Sequence, residues 1–137
     1  MLRVLSFNIM IKKYLGVDYG TKRIGLSIGD SETKTAVVFG TVNSIKDLIK
    51  VIKKEEINYV ILGKPYSVAN FEHKLPENFK KFVNELKKEL PKKVTLDFED
   101  ERLSSKYADS LAGDKKTKAS RDEIAAITIL QSYFDKN

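Results

Sequence analysis

Cysteine is absent from the 137-residue chain, and histidine occurs only once, as His73. Without cysteine there is no disulfide, no thiolate zinc site and no cysteine nucleophile, a composition compatible with a reducing compartment. We therefore expect a cytoplasmic protein. Because His73 lies outside every motif described below, the sequence favours a surface position for it over a catalytic one.

Long apolar runs are missing as well. No stretch approaches the roughly 20 apolar residues that a membrane span requires. The apolar run over residues 4–11 is interrupted by Ser6 and Asn8 and has no small-residue cleavage site, so we expect neither a secretory signal nor a membrane partner. Two interpretations of residues 1–13 stay open: translation starts at Met10, or the segment is an N-terminal extension that adds an edge strand.

Positive charge exceeds negative charge, with 25 Lys plus Arg against 19 Asp plus Glu and a formal net charge of +6. Such an excess attracts polyanions, although basic residues also serve as solvated helix faces. The 42% of hydrophobic residues is enough for a packed core, and the length suits one domain over residues 1–137. Composition thus makes nucleic acid a candidate partner without naming a reaction.

The hydrophobic pattern predicts a regular order of elements, β-β-β-α-β-α-β-α-α. Three strands follow one another as antiparallel hairpins, and two later strands run parallel through right-handed crossovers. The predicted strands cover residues 14–18, 23–29, 36–39, 59–62 and 94–98, and the predicted helices begin near residues 44, 76, 104 and 121. This α/β arrangement, a five-stranded mixed sheet flanked by helices, is that of the ribonuclease H-like fold.

A carboxylate, Asp18, interrupts the apolar first strand. Burying an unpaired carboxylate is costly, so Asp18 either binds a metal ion, pairs with a cation or lies at the open edge of the sheet. In the turn that follows, Gly20 can adopt a positive φ. Arg23 either contacts a phosphate or forms a surface ion pair. The strand pattern by itself leaves these alternatives open.

Two further acidic groups are predicted at the same end of the sheet. Asp100 and Glu101 follow the fifth strand, and Asp122 opens the last helix, where an acid also has the simpler role of favouring the helix dipole. Convergence of these acids favours a divalent-metal centre, because carboxylates are ligands that Mg²⁺ prefers. Two such ions can activate water and neutralise the charge that builds up during phosphodiester hydrolysis.

Three segments stand out together: YLGVDYGTKRIG at residues 14–25, DERLSS at 100–105 and DEIAAITILQ at 122–131. In combination they resemble the YqgF family of pre-16S ribosomal RNA nucleases, also described as Holliday junction resolvase-like proteins. The resemblance extends in this order to about residue 134. It implies a ribonuclease H-like fold, a nuclease that depends on Mg²⁺ or Mn²⁺, and a role in maturing the 5′ end of pre-16S ribosomal RNA.

Carried over by motif, the resemblance assigns Asp18, Glu101 and Asp122 as catalytic metal ligands and Asp100 as a weaker candidate ligand. We further predict substrate binding at Gly20, Thr21, Lys22, Arg23, Lys64, Arg102, Ser104 and Ser105. The chain departs from the family where the usual Gly-Leu-Pro reads GKP, at residues 63–65, and where two serines replace the last threonines. These departures concern substrate preference more than the metal centre.

Three rival interpretations stay open. A Holliday junction resolvase acting on branched DNA would favour a symmetric dimer, and the sequence is compatible with a monomer or a weak homodimer. A phosphotransferase of the actin and sugar-kinase type shares the Asp-x-Gly-Thr turn but needs two such domains. A non-catalytic module that binds RNA or pre-ribosomal particles would grip phosphates with strongly salt-dependent affinity. Its lysines would be Lys80, Lys81, Lys87, Lys88, Lys92, Lys93, Lys115, Lys116 and Lys118.

Overall fold

The computed structural model describes residues 11–65, 75–101 and 121–137. The strands are β1 (Lys13–Tyr19), β2 (Ile24–Asp30), β3 (Val37–Val42), β4 (Tyr59–Lys64) and β5 (Thr95–Asp100), and the helices are α1 (Ile45–Lys54), α2 (Glu77–Glu89) and α3 (Arg121–Lys136). The five strands form one sheet in the order β3-β2-β1-β4-β5. The pairs β1–β2 and β2–β3 are antiparallel, whereas β1–β4 and β4–β5 are parallel. The predicted mixed sheet is thereby confirmed.

Alternation along the strands gives the sheet two packed faces. One face packs against α1 and α2, and its core includes Leu15, Val17, Leu26, Leu48, Val60, Leu62, Phe79 and Leu86. The other face packs against α3 through Ile61, Ile129, Leu130 and Phe134. Because successive side chains of a strand point to opposite faces, Tyr14, Gly16 and Asp18 belong to the α3 face.

Small residues on β1 and β2 let α3 lie close to the sheet. A Cβ atom at Gly25 would collide with the backbone carbonyl of Asp122, and a Cβ at Gly16 would lie 2.7 Å from the Ala126 carbonyl oxygen. The buried Ser27 hydroxyl donates to that same Ala126 carbonyl at 2.6 Å. The close approach sets the start of α3 beside the end of β1, where Asp18 is located.

The three described helices begin within one residue of their predicted starts. α1 starts after Ser44, whose hydroxyl oxygen accepts a hydrogen bond from the Asp47 backbone N–H at 3.2 Å. α2 follows Pro76 and ends at Glu89, shortly before Pro91. Pro76 is the N-cap residue, directly before the first helical residue Glu77, and makes no side-chain capping hydrogen bond. Proline at position 91 cannot continue the helix.

β4 and β5 each extend two residues beyond their predicted ends. The fourth strand is predicted to end at residue 62, before GKP at residues 63–65, but Gly63 and Lys64 continue the parallel ladder opposite Glu99 and Asp100. The prediction was wrong because the pairing with β5 outweighs the turn tendency of glycine and proline. As a result, Glu99 and Asp100 lie within β5 and not after it.

β3 also differs from its prediction. The apolar run at residues 36–39 was expected to be the strand, whereas β3 covers Val37–Val42 at the edge of the sheet. A register shift opposite Leu26 and Ser27 interrupts its pairing with β2. Val37, Val38 and Phe39 are exposed at this edge of the sheet.

Several predicted elements lie outside the described residues. They are the first ten residues of the N-terminal extension, the loop that contains His73, the helix predicted from residue 104 and the lysine-rich segment before α3. Among the helices that the structure describes, none combines the length and apolar character needed to cross a membrane.

Candidate functional site

Three acidic residues reach one edge of the sheet from three different elements. Asp18 lies near the end of β1, Glu101 directly follows β5, and Asp122 is the second residue of α3. β1 and β5 both run parallel to the intervening β4, so their carboxyl ends share this edge. The Glu101 Oε1 atom would lie 2.8 Å from a Cβ at Gly63, where the Ile129 side chain of α3 also packs. Glu101 therefore lies on the α3 face together with Asp18.

The carboxyl groups of Asp18 and Glu101 lie within hydrogen-bonding reach of each other. A hydrogen bond between two carboxyl groups requires a proton on one of them. Burial, the hydrogen bond to Glu101, and the negative charges of Glu101 and Asp122 together raise the pKa of Asp18 to about 9. At neutral pH the metal-free pair therefore holds a proton.

Asp122 completes the acidic group but is held by a cation. Its Oδ2 atom accepts a hydrogen bond from Nε of Arg23 at 2.7 Å. The turn between β1 and β2 brings Arg23 to this position, because the Gly20 backbone N–H donates to the Arg23 carbonyl at 3.0 Å. A Cβ at Gly20 would lie 2.6 Å from that carbonyl oxygen, so the tight turn requires glycine for lack of space. The positive φ suggested for Gly20 is not observed, because among the described glycines it occurs at Gly40.

The donor set fits a hard divalent cation. As placed, no three Asp, Glu or His side chains in residues 11–65, 75–101 and 121–137 form a group ready to hold a metal ion. Asp18 and Glu101 nevertheless share a partly buried edge where a proton relieves their mutual repulsion. A cation with oxygen ligands, such as Mg²⁺ or Mn²⁺, could take the place of that proton.

Asp100 does not join the Asp18–Glu101 pair. Within β5 it alternates with Glu99 and shares a face with Phe98 and Leu96, which pack against the core formed with α1 and α2. The structure thus places Asp100 on the opposite face of the sheet from Asp18 and Glu101. The exposed Lys64 is its cross-strand neighbour.

Glu99 is a buried acid that the sequence did not single out. It is 5% exposed and accepts hydrogen bonds from the Ser132 hydroxyl at 2.6 Å and from the Lys136 ammonium group at 2.7 Å. These two hydrogen bonds satisfy the buried carboxylate, and they connect the last turns of α3 to β5. The sequence did contain a signal for this position, because Glu99 lies two residues before Glu101 and alternation along a strand predicts that both share one face of the sheet.

The predicted substrate-binding residues divide into two groups. Thr21, Lys22 and Arg23 are exposed on the turn beside the acids, and Gly20 shapes that turn. Lys64 is exposed at the end of β4. Arg102, Ser104 and Ser105 lie outside the described residues.

Solved structures with a similar fold include RuvC from Thermus thermophilus. RuvC in complex with a Holliday junction substrate matches with a TM-score of 0.61 and 12% identity, over 91% of this chain and 94% of that chain. A second RuvC structure matches with a TM-score of 0.59 and 10% identity, over 90% and 95% of the two chains. At these identities the likeness concerns the fold alone, and it confirms the predicted ribonuclease H-like class.

Sequence comparison adds the family. A family profile described as "RuvX: Holliday junction resolvase" matches residues 12–136. A relative from Phocaeicola vulgatus named "Putative pre-16S rRNA nuclease" is 34% identical over 135 residues, covering 91% of this chain and 96% of its own length. A relative of the same name from Sulfurihydrogenibium is 30% identical over 133 residues, covering 92% of both chains. The chain belongs to the RuvX family, as the resemblance of its three motifs to the YqgF proteins predicted.

Proposed function

We propose that the protein is a divalent-metal-dependent nuclease that hydrolyses phosphodiester bonds of pre-16S ribosomal RNA. The observation that carries this proposal is the convergence of Asp18, Glu101 and Asp122 at the carboxyl edge of the sheet. The names of the relatives support the activity, and those relatives match most of the chain. The acid pair supports a nuclease activity that depends on a metal ion.

In the proposed mechanism, Asp18 and Glu101 are the principal ligands and Asp122 is the third. When bound, one or two divalent ions would supply the positive charge that activates water and stabilises the attacked phosphate. Asp18, whose pKa is raised, would give up its proton on becoming a ligand. Arg23 keeps Asp122 oriented at the start of α3.

The substrate side of the proposal rests on positive charge around the acids. Lys22 and Arg23 lie exposed on the turn that follows Asp18, and Lys64 lies exposed at the end of β4. Contacts of this kind position phosphates without reading base sequence. We accordingly propose that structure and position within a precursor RNA or pre-ribosomal particle determine the cleaved bond. The cysteine-free composition agrees with a cytoplasmic location.

Branched DNA is the second candidate substrate, and the description of the family profile favours it. A resolvase cuts two strands and so requires two sites related by symmetry. The two candidates differ in oligomeric state as well as substrate. A resolvase acts as a dimer, whereas RNA maturation requires only one site.

The test is a direct competition between substrates. An end-labelled pre-16S RNA fragment and a four-way DNA junction are incubated with the protein and Mg²⁺ or Mn²⁺, and light scattering gives the mass of the active species. Preferential cutting of the RNA by a monomer supports the proposal. Paired cuts in the junction by a dimer would replace it with the resolvase function, and binding without cleavage would favour a non-catalytic RNA-binding module.

A further inference from the structure

A cavity of about 300 Å³ adjoins the turn between β1 and β2, on the side of the sheet that carries α1 and α2. We propose that it holds one nucleotide of a single-stranded segment adjacent to the cleaved bond. This inference rests on the proposed function for the position of that bond. The volume is near the lower end of ligand pockets, about 300–1,000 Å³, which suits one nucleotide and is too small for a duplex.

The cavity and the acids share the same strand end. Tyr19 lines the cavity, and it is the residue directly after Asp18, with its side chain on the opposite face of the sheet. The turn that carries Lys22 and Arg23 also lines the cavity while Arg23 contacts Asp122. A strand that crosses this turn would leave the acidic site and enter the cavity with its next nucleotide.

An aromatic wall makes the cavity suitable for a base. The ring of Tyr19 stacks on that of Phe82, with centroids 4.3 Å apart and an angle of 30° between the planes, and both residues line the cavity. Tyr19 is half-buried, which leaves part of the residue accessible to a ligand. Stacking on an aromatic ring tolerates any base, because every base has a π face.

Two cations on different elements could bind the phosphate of that nucleotide. Lys22 comes from the turn and Lys81 from the second turn of α2. Neither lysine forms an ion pair within the part of the chain that the structure describes. By contrast, the neighbouring Lys80 lies outside the cavity lining and pairs with Glu77 at 3.6 Å.

Amide groups and one acid complete the lining. Asn43 and Asn78 lie near the starts of α1 and α2, and Oδ1 of Asn78 accepts from the Phe79 backbone N–H, which leaves its amide N–H groups for a ligand. Among the described residues, Glu85 contributes the carboxylate that lines the cavity, and it lies one helical turn after Lys81. A bound phosphate would be attracted by Lys81 and repelled by Glu85, so the two residues should have opposite effects.

The experiment measures binding of a labelled single-stranded RNA and a duplex of the same sequence, in chelator so that cleavage does not interfere. Lys81→Gln should weaken single-strand binding about fivefold near 0.1 M salt, because each phosphate contact contributes about 0.7 to the salt slope. Glu85→Gln should strengthen it. Lys87→Gln removes the same charge from an exposed position of α2 outside the cavity, and it should have a much smaller effect.

Equal losses for Lys81→Gln and Lys87→Gln would overturn the proposal, because they would indicate diffuse attraction to the helix. A Lys81→Gln loss that is the same for the duplex would overturn the single-strand assignment. Cleavage by the wild-type protein with Mg²⁺ is scored separately. If the wild-type protein cleaves and the two lysine variants lose RNA binding equally, the cavity inference alone fails. If the wild-type protein does not cleave, the proposed function fails, and the binding data still test the cavity inference.

Discussion

Arg23 and Asp122 form a 2.7 Å ion pair that connects the β1–β2 turn to the first turn of α3. Their side chains are 56% and 30% exposed, so the pair contributes little to folding stability. Its consequence is positional, because it fixes where the Asp122 carboxylate lies relative to Asp18 and Glu101. The contact thus relates a residue of the predicted phosphate-binding turn to a predicted metal ligand.

Replacing Arg23 should impair catalysis far more than folding. For Arg23→Gln we expect the cleavage rate to fall about ten- to hundredfold, since a hydrogen bond to a charged group contributes about 1.5–3 kcal/mol. The melting temperature should hardly change. Lys80→Gln, which breaks the exposed pair with Glu77, is the matched control and should retain full activity. Equal activity of the two variants would contradict a positioning role for Arg23.

Close packing of α3 against β2 predicts a second effect. In Gly25→Ala, the new Cβ would collide with the Asp122 carbonyl and displace the start of α3. We expect destabilisation of about 1–3 kcal/mol from overpacking together with a large loss of cleavage. Denaturant unfolding measures the first quantity and turnover by the folded protein the second.

Gly29→Ala provides the control at the other end of the same helix. Its Cβ would lie 2.7 Å from the Phe134 ring and 2.8 Å from the Thr35 carbonyl oxygen, far along α3 from the acids. We expect a similar loss of stability with cleavage per folded molecule retained. If both glycine variants lose activity in proportion to stability, the packing at Gly25 has no special relation to the site.

Stability of the metal-free protein should depend on pH through Asp18. Its pKa is raised to about 9 in the folded state, against about 3.9 for aspartate in an unfolded chain. A raised folded pKa means that the stabilising contribution is complete below pH about 4 and declines as the pH rises towards about 9. Melting temperatures in chelator at several pH values measure this decline. It should be flatter in Asp18→Asn, whereas identical profiles for both proteins would refute the assignment.

Glu99 should behave as a structural acid, unlike Glu101 two residues later. Its buried carboxylate relies on Lys136 and Ser132, so Lys136→Met should destabilise the fold by about 1–3 kcal/mol by leaving a charged group short of a partner. Glu101→Gln should instead abolish cleavage with little loss of stability. Unfolding and cleavage assays on both variants separate the roles, and loss of cleavage without destabilisation in Lys136→Met would contradict them.

Much of this architecture could be predicted because period-two and helical hydrophobic patterns are local properties of the sequence. The order of elements and the shared edge of Asp18, Glu101 and Asp122 followed from them. The ends of β4 and β5 could not be predicted, because the pairing of Gly63 with Glu99 is a tertiary contact that outweighs a local turn signal.

The two acids of β5 illustrate different limits of the sequence. The burial of Glu99 depends on partners 33 and 37 positions away in the chain, which no local pattern specifies. The face of Asp100 was open to prediction, because counting alternate residues from the apolar Phe98 assigns it to the core of α1 and α2. Its grouping with Glu101 relied on their adjacency in the sequence, and in a strand adjacent residues point in opposite directions.

The most direct test of the proposed nuclease is an assay of cleavage of an end-labelled pre-16S RNA. It compares wild type, Asp18→Asn and the control Asp97→Asn, with Mg²⁺ and with chelator. Asp97 is an exposed acid of the same sheet face that accepts a hydrogen bond from Tyr133 away from the site. We predict metal-dependent cleavage by wild type and by Asp97→Asn. In Asp18→Asn the cleavage rate should fall at least about a hundredfold, because removing one group that stabilises transition-state charge has an effect of this size. Equal cutting by Asp18→Asn and wild type, or cutting that persists in chelator, would contradict this prediction.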